Sequence, residues 1–227
     1  PNVGKSTLLN ALLGQKVAAV SPRPQTTRRR QLGILTIENA QLVFVDTPGL
    51  HHARHKLGEF LNYEAEEALN GVDVILWLVD SASPPTEDDI LIANLINSIS
   101  LRTHRLLVLN KIDTLNADEL SARSEDYVKL LEQASVKKIS AAKRTGLEEL
   151  LETLIQLLPE RMPDYPEEQI TDAYERDIAA DLLREACLIQ LRDEVPHSLA
   201  VRVDEFKERE NGMAYIAATI FVERESQ

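Results

Sequence analysis

The chain has 227 residues, 44% of them hydrophobic, which is enough for one large and one small domain with a buried core. No apolar run approaches ~20 residues, which excludes a transmembrane helix. The single cysteine, Cys187, excludes an internal disulfide and points to a reducing cytoplasm, with Cys187 expected as a small buried side chain; the net charge of −12 argues against an overall polyanion-binding surface.

In chain order, Asn2-Val3-Gly4-Lys5-Ser6-Thr7 carries the second half of a phosphate loop, G-x-x-x-x-G-K-[ST]. The first glycine of that pattern would fall two residues before Pro1, so the sequence is expected to lack half of the loop and the strand that feeds it. Gly4 lets backbone N–H groups approach phosphates closely. Lys5 is a flexible ammonium that reaches β- and γ-phosphates. The Ser6 hydroxyl is a hard oxygen ligand suited to Mg2+. A helix is predicted over Leu8–Leu13, ending at Gly14, with its N-terminus toward the phosphates.

Gln31–Glu38 and Gln41–Val45, joined by Asn39-Ala40, read as a hairpin that delivers Asp46. A carboxylate closing a buried strand needs a cation, and Mg2+ through water satisfies that need. In Asp46-Thr47-Pro48-Gly49, the Gly49 backbone N–H is placed to touch a γ-phosphate and so to sense GTP against GDP. A helix over 57–70 and a buried strand Val72–Asp80, with Trp77 in the core, come next. Pro84-Pro85-Thr86 opens a helix over 87–98.

Strand 105–110 leads into Asn110-Lys111-Ile112-Asp113. The Asp113 carboxylate can accept from both N1–H and the N2 amino group of guanine, a donor pair that adenine lacks. The Lys111 stem can cover the flat base. After a helix over 117–133 and a strand over 136–140, a backbone N–H in Ser140-Ala141-Ala142 can donate to guanine O6. A helix over 146–157 closes the region. Four motifs in this order, over ~140 residues, predict a GTP/GDP site with Mg2+. The strand–helix alternation predicts an α/β domain with a mostly parallel sheet and the ligand at the C-terminal strand ends.

Beyond this domain (1–158), residues 159–169 carry Pro159, Pro163 and Pro166 among charges and read as a proline-stiffened linker. Residues 170–227 read as a helix over Asp172–Glu194, a strand Leu199–Phe206, a turn at Asn211-Gly212 and a strand Met213–Val222. Residues 161–227 hold 8 Lys+Arg against 16 Asp+Glu, so this is the more acidic part.

Pro1-Asn2-Val3-Gly4-Lys5-Ser6, Gln25-Thr26-Thr27-Arg28 and Asp46-Thr47-Pro48-Gly49 resemble motifs of the bacterial Era family of translation-factor-type GTPases. So do Tyr165-Pro166-Glu167-Glu168-Gln169-Ile170-Thr171-Asp172 and Glu194-Val195-Pro196-His197-Ser198. The resemblance runs from end to end. It implies a P-loop GTPase domain followed by an α+β KH domain of the prokaryotic type, binding small-subunit ribosomal RNA and assisting maturation of the 30S subunit. It also implies a monomer, in the cytoplasm, with peripheral contact at the inner membrane surface. A KH domain clamps the nucleic-acid backbone with a Gly-x-x-Gly loop. No such loop occurs between 170 and 227, so only the first half of the domain is expected here, with the basic RNA-contacting surface beyond Gln227.

The resemblance makes Gln25–Arg30 the first switch, with Thr27 as Mg2+ ligand in the GTP state and Thr26 as second choice. Lys5, Thr27 and Gly49 are the expected catalytic set. The glutamine that orients water in many GTPases is replaced by Leu50, so the water must be held otherwise. Asn2 has two readings, a residue that shapes the turn or a ligand of a K+ ion that assists hydrolysis, as in potassium-activated relatives. Arg28-Arg29-Arg30 reads either as a solvated basic run or as a contact to RNA, γ-phosphate or the second domain. His51, His52 and His55 are assigned no metal. Two other readings stay open: a double-GTPase ribosome-assembly factor, of which only one set of motifs is present, and a nucleotide-gated RNA-binding module whose hydrolysis is incidental.

Overall fold

A computed structural model describes residues 2–20, 31–47, 63, 67–100, 102–190, 199–209 and 212–222. The readings for Gln25–Arg30, Thr27, Gly49, Leu50 and the three histidines, and most of the helix expected over 57–70, lie outside these residues.

Helix α1 (Lys5–Leu13) starts from Gly4 and stops at Gly14, both left-handed. Strands β1 (Gln31–Ile37) and β2 (Ala40–Asp46) form an antiparallel hairpin. Gly33 lets the hairpin approach α1 closely: a Cβ at that position would stand 2.4 Å from the Leu9 side chain, which would have to shift.

Strands β3 (Val74–Asp80), β4 (His104–Asn110) and β5 (Ser135–Lys138) form a parallel sheet in the order β3-β4-β5. Three helices connect and flank them: α2 (Glu87–Ser98), α3 (Ala117–Val128) and α4 (Leu147–Leu157). Reciprocal capping boxes, Thr86 with Asp89 and Asn116 with Glu119, begin α2 and α3 by satisfying otherwise orphaned N–H groups. The helix expected to run to 133 stops at Val128. Its last turn loosens into backbone turns at 130 and 131, and the Asn97 side chain spans Leu130 O and Glu132 N instead.

Apolar continuity in β4 reflects burial on both faces. Leu106 and Val108 join Leu8, Leu78, Ile139, Leu150 and Leu154 in one core. Leu107 and Leu109 face the other way, into Ile75, Trp77, Val79, Ile96 and Tyr127. Trp77 meets Tyr127 edge to face at 5.9 Å, as its core reading requires. The parallel arrangement holds for β3, β4 and β5, while the β1–β2 hairpin forms its own ladder. An apolar slot of about 420 Å³, lined by Leu42–Asp46, Val74–Leu76, Leu8 and Leu154, separates β2 from β3.

Residues 164–172, the end of the segment read as a linker (159–169) and the start of the region after it, dock on the hairpin. Ile34 N donates to Ile170 O and Leu32 N to Asp172 Oδ1, both at 2.8 Å. The Gln41 amide bonds Asp164 N, Tyr165 N and Tyr165 O. Helix α5 (Glu175–Gln190) then packs on strand β6 (Ala200–Glu208), which pairs antiparallel with β7 (Ala214–Phe221). Cys187 on α5 is partly rather than fully buried, because that helix covers only one sheet face. A bulge at Asp204, between Val203 and Glu205, bends β6. Lys16, just past α1, pairs with the buried Glu185 of α5 at 2.8 Å.

Candidate nucleotide site

The phosphate-loop residues gather at the N-terminus of α1. Asn2 is exposed and left-handed (φ 59°), a conformation that asparagine tolerates better than most residues. Gly4 has φ 99°, and a Cβ there would lie 2.4 Å from the Asn110 amide nitrogen, so glycine is required twice over. Lys5, Ser6 and Thr7 form the first turn of α1. Burial pushes the Lys5 ammonium below the ordinary lysine pKa, and the nearby Asp46 carboxylate opposes that shift only in part. An anionic phosphate would favour the charged form.

Asp46 ends β2 and is buried. The Ser6 hydroxyl donates to its Oδ2 at 3.2 Å. A hydroxyl and a carboxylate held together beside a lysine are the hard oxygen donors that Mg2+ prefers, so the donor set fits that ion.

Asn110, read from sequence as part of the base motif, also works as a brace. It is buried at the end of β4; its Nδ2 donates to Val3 O at 2.8 Å, and its Oδ1 accepts from Ala141 N at 2.9 Å. One side chain therefore fixes the phosphate loop against the Ser140-Ala141-Ala142 turn. Ser81 holds the Asn110 carbonyl from the other side, through its N–H at 3.0 Å and its hydroxyl at 2.5 Å. Ser140 is buried and pairs with Thr145 across the turn, and its hydroxyl accepts from Lys143 N. Ala142 is exposed.

Lys111 is left-handed (φ 65°) and caps a 3-10 turn over Ile112–Thr114. Its ammonium sits 2.6 Å from Asp80 Oδ2. Asp113 lies in that turn, exposed, and its carboxylate meets no protein partner among the described residues. An exposed carboxylate beside a fixed turn is available to a ligand. Asp80 was legible in the sequence only as a strand end. The signal that would have found it is the parallel ladder, which sets Asp80 opposite Asn110, one residue before Lys111.

Residues 1–111 match a sequence family described as 50S ribosome-binding GTPase. The chain is 42% identical over its whole length to GTPase Era of Ruminiclostridium cellulolyticum, covering 75% of that protein, and 45% identical to GTPase Era of Carboxydothermus hydrogenoformans, covering 76%. Among solved structures it resembles Era in complex with MgGDPNP and nucleotides 1506–1542 of 16S ribosomal RNA, and the Aquifex aeolicus Era variant Y63A bound to GDP·AlF4−. For both, the TM-score is 0.88 and the identity 38%, over 100% of this chain and 77% of the other.

Proposed function

The chain belongs to the Era family of GTPases, and on that premise we propose how its own residues carry out GTP binding, hydrolysis and the coupling to ribosomal RNA. The protein is a GTP-binding and GTP-hydrolysing switch that uses Mg2+ and binds small-subunit ribosomal RNA in assembly of the 30S subunit. The observation that carries the site reading is the Asn110 brace, which ties phosphate-binding and base-binding segments into one preformed unit.

In this reading Gly4, Lys5, Ser6 and Thr7 surround the β- and γ-phosphates, with Asn2 and Val3 shaping the approach. The Lys5 ammonium neutralises charge that develops on the transferred group. Ser6 and Asp46 would hold the magnesium ion, Asp46 through water, with Thr27 joining in the GTP state. The ion supplies electrostatic stabilisation of the phosphate oxygens. Gly49 senses the γ-phosphate. Asp113 reads the guanine edge, the Lys111 stem covers its face, and the Ser140-Ala141-Ala142 turn offers backbone N–H donors to O6. Leu50 cannot orient water by a hydrogen bond. We therefore assign Asn2 a K+ ion beside the phosphates, motivated by its exposed, left-handed position two residues before Gly4. Resemblance supports a monomer that works in the cytoplasm with peripheral membrane contact. Among the described residues, no helix is long and apolar enough to cross a membrane.

The test uses the full-length protein. Guanine nucleotides should bind more tightly than ATP by about 100-fold or more, and GTP turnover should be faster in K+ than in Na+ at equal ionic strength. Equal affinity for GTP and ATP rejects the base-site assignment. Equal turnover in both salts removes K+ from the mechanism.

A further inference from the structure

We propose that Asp80 is a positioning residue that aims the Lys111 side chain across the base pocket before nucleotide arrives. This inference rests on the reading of Lys111 as the residue that covers the base. The β3–β4 ladder brings Asp80 opposite Asn110, next to Lys111 in the chain. The left-handed backbone at Lys111 is unfavourable for a residue with a Cβ. Its neighbours hold it there. Thr114 donates to the Lys111 carbonyl through its hydroxyl at 2.7 Å and its N–H at 3.1 Å. Ile112 N donates to Ile139 O at 3.3 Å, and Ser81 grips the carbonyl of Asn110.

With the backbone set, the ammonium is the only free end. Asp80 Oδ2 takes it at 2.6 Å. Asp80 is itself fixed, because its Oδ1 accepts from Ala82 N at 3.0 Å. Asp80 also lines, with Val3 and Lys5, a cavity of about 360 Å³, so it faces the phosphate-loop side of the sheet. The pair is part-exposed, 36% for Lys111 and 27% for Asp80. An ion pair so exposed contributes little to stability. What it can do is hold a rotamer. With both ends tied, the four-carbon stem of Lys111 is restricted and part of its entropy cost is met before binding. An unanchored lysine would have to be ordered by the nucleotide.

The experiment measures release of a fluorescent GDP analogue from the full-length protein for Asp80→Asn, Asp80→Glu, Lys111→Ala and the double variant Asp80→Asn/Lys111→Ala. Asp80→Asn keeps an acceptor for Ala82 but removes the charge. It should speed release about tenfold, the size expected when one long side chain must be ordered at binding. Asp80→Glu should stay within about threefold of the parent, since the charge returns on a longer arm. The double variant should release no faster than Lys111→Ala alone, because Asp80 acts only through Lys111. A merely structural role would instead move the denaturation midpoint and add to the effect of Lys111→Ala. Unchanged release in Asp80→Asn, with Lys111→Ala fast, overturns the role of Asp80 and leaves the Lys111 reading intact. Unchanged release in Lys111→Ala overturns both. Additive effects in the double variant also overturn the proposal.

Discussion

Strand β4 and strand β7 are both apolar, and among the described residues their surroundings are opposite. From Arg105 to Asn110 every residue of β4 is buried, with a strand on each edge and helices over each face. In β7, Tyr215, Ile216, Ile220 and Phe221 are exposed and no residue is buried; among the described residues β6 alone pairs with it. Apolar patterning therefore predicts that a segment is a strand, while its neighbours decide whether it becomes core. The polar groups divide the same way. Asn110 makes buried bonds that join three segments, whereas Asp204 holds Arg202 and Thr219 at an open bulge.

Truncation of a core leucine sharpens the contrast most. Leu107→Ala should lower the stability of the 227-residue chain by about 3 kcal/mol, as deletion of a fully enclosed leucine does. In the 227-residue chain Ile220 is 48% exposed, so there Ile220→Ala should cost under about 1 kcal/mol. Chemical denaturation measures both, and equal losses would mean that β7 is as well covered as β4.

The polar braces should separate next. Asn110→Ala leaves the Val3 carbonyl and the Ala141 N–H without their partner, at a cost of about 2 kcal/mol. It should also loosen the phosphate loop, so GTP affinity should fall together with the denaturation midpoint. Asp204→Ala should leave both unchanged. Nearby hydrogen bonds from Thr219 and then Arg202 hold the Asp204 carboxyl below its usual pKa, but in the open. A loss in Asp204→Ala as large as in Asn110→Ala would break the comparison.

The smallest effect concerns protons. Burial lowers the folded-state pKa of Lys5 below the unfolded value. In the window between the two, the nucleotide-free folded protein binds fewer protons than the unfolded chain, so this group makes stability rise with pH there; below the folded pKa the full cost of burying the charge is present. Phosphate favours the charged form, so GTP binding in that alkaline window should take up a fraction of a proton. Calorimetry in buffers of different ionisation enthalpy reads that fraction. Proton release on binding would contradict the account of Lys5.

The candidate nucleotide site was read from residue types that its ligand would dictate: a glycine where phosphates approach, a lysine for charge, a carboxylate for a paired donor edge. Gly4, Lys5 and Asp113 each answer such a demand, and the fold gathers Gly4 and Lys5 with Ser6 and Asp46 at the N-terminus of α1. The Asn110 brace and the Asp80–Lys111 pair were not legible in this way, since both depend on contacts that only the parallel ladder and the folded loop create. The early end of α3 and the docking of residues 164–172 on the β1–β2 hairpin were missed for the same reason. A proline-rich, charged stretch reads as a linker until a particular side chain, here that of Gln41, takes its backbone groups. The acidic helix–strand–strand region carries no residue pattern that a ligand would dictate, and its function was legible only through resemblance.

The central claim is that one preformed unit reads guanine through Asp113. Asp113→Asn replaces an acceptor with a donor while conserving size. Affinities of the full-length protein for GTP and xanthosine triphosphate should then invert. GTP binding should weaken by about 100-fold or more, and xanthosine triphosphate should become the tighter ligand. An unchanged preference for GTP in Asp113→Asn would contradict the account.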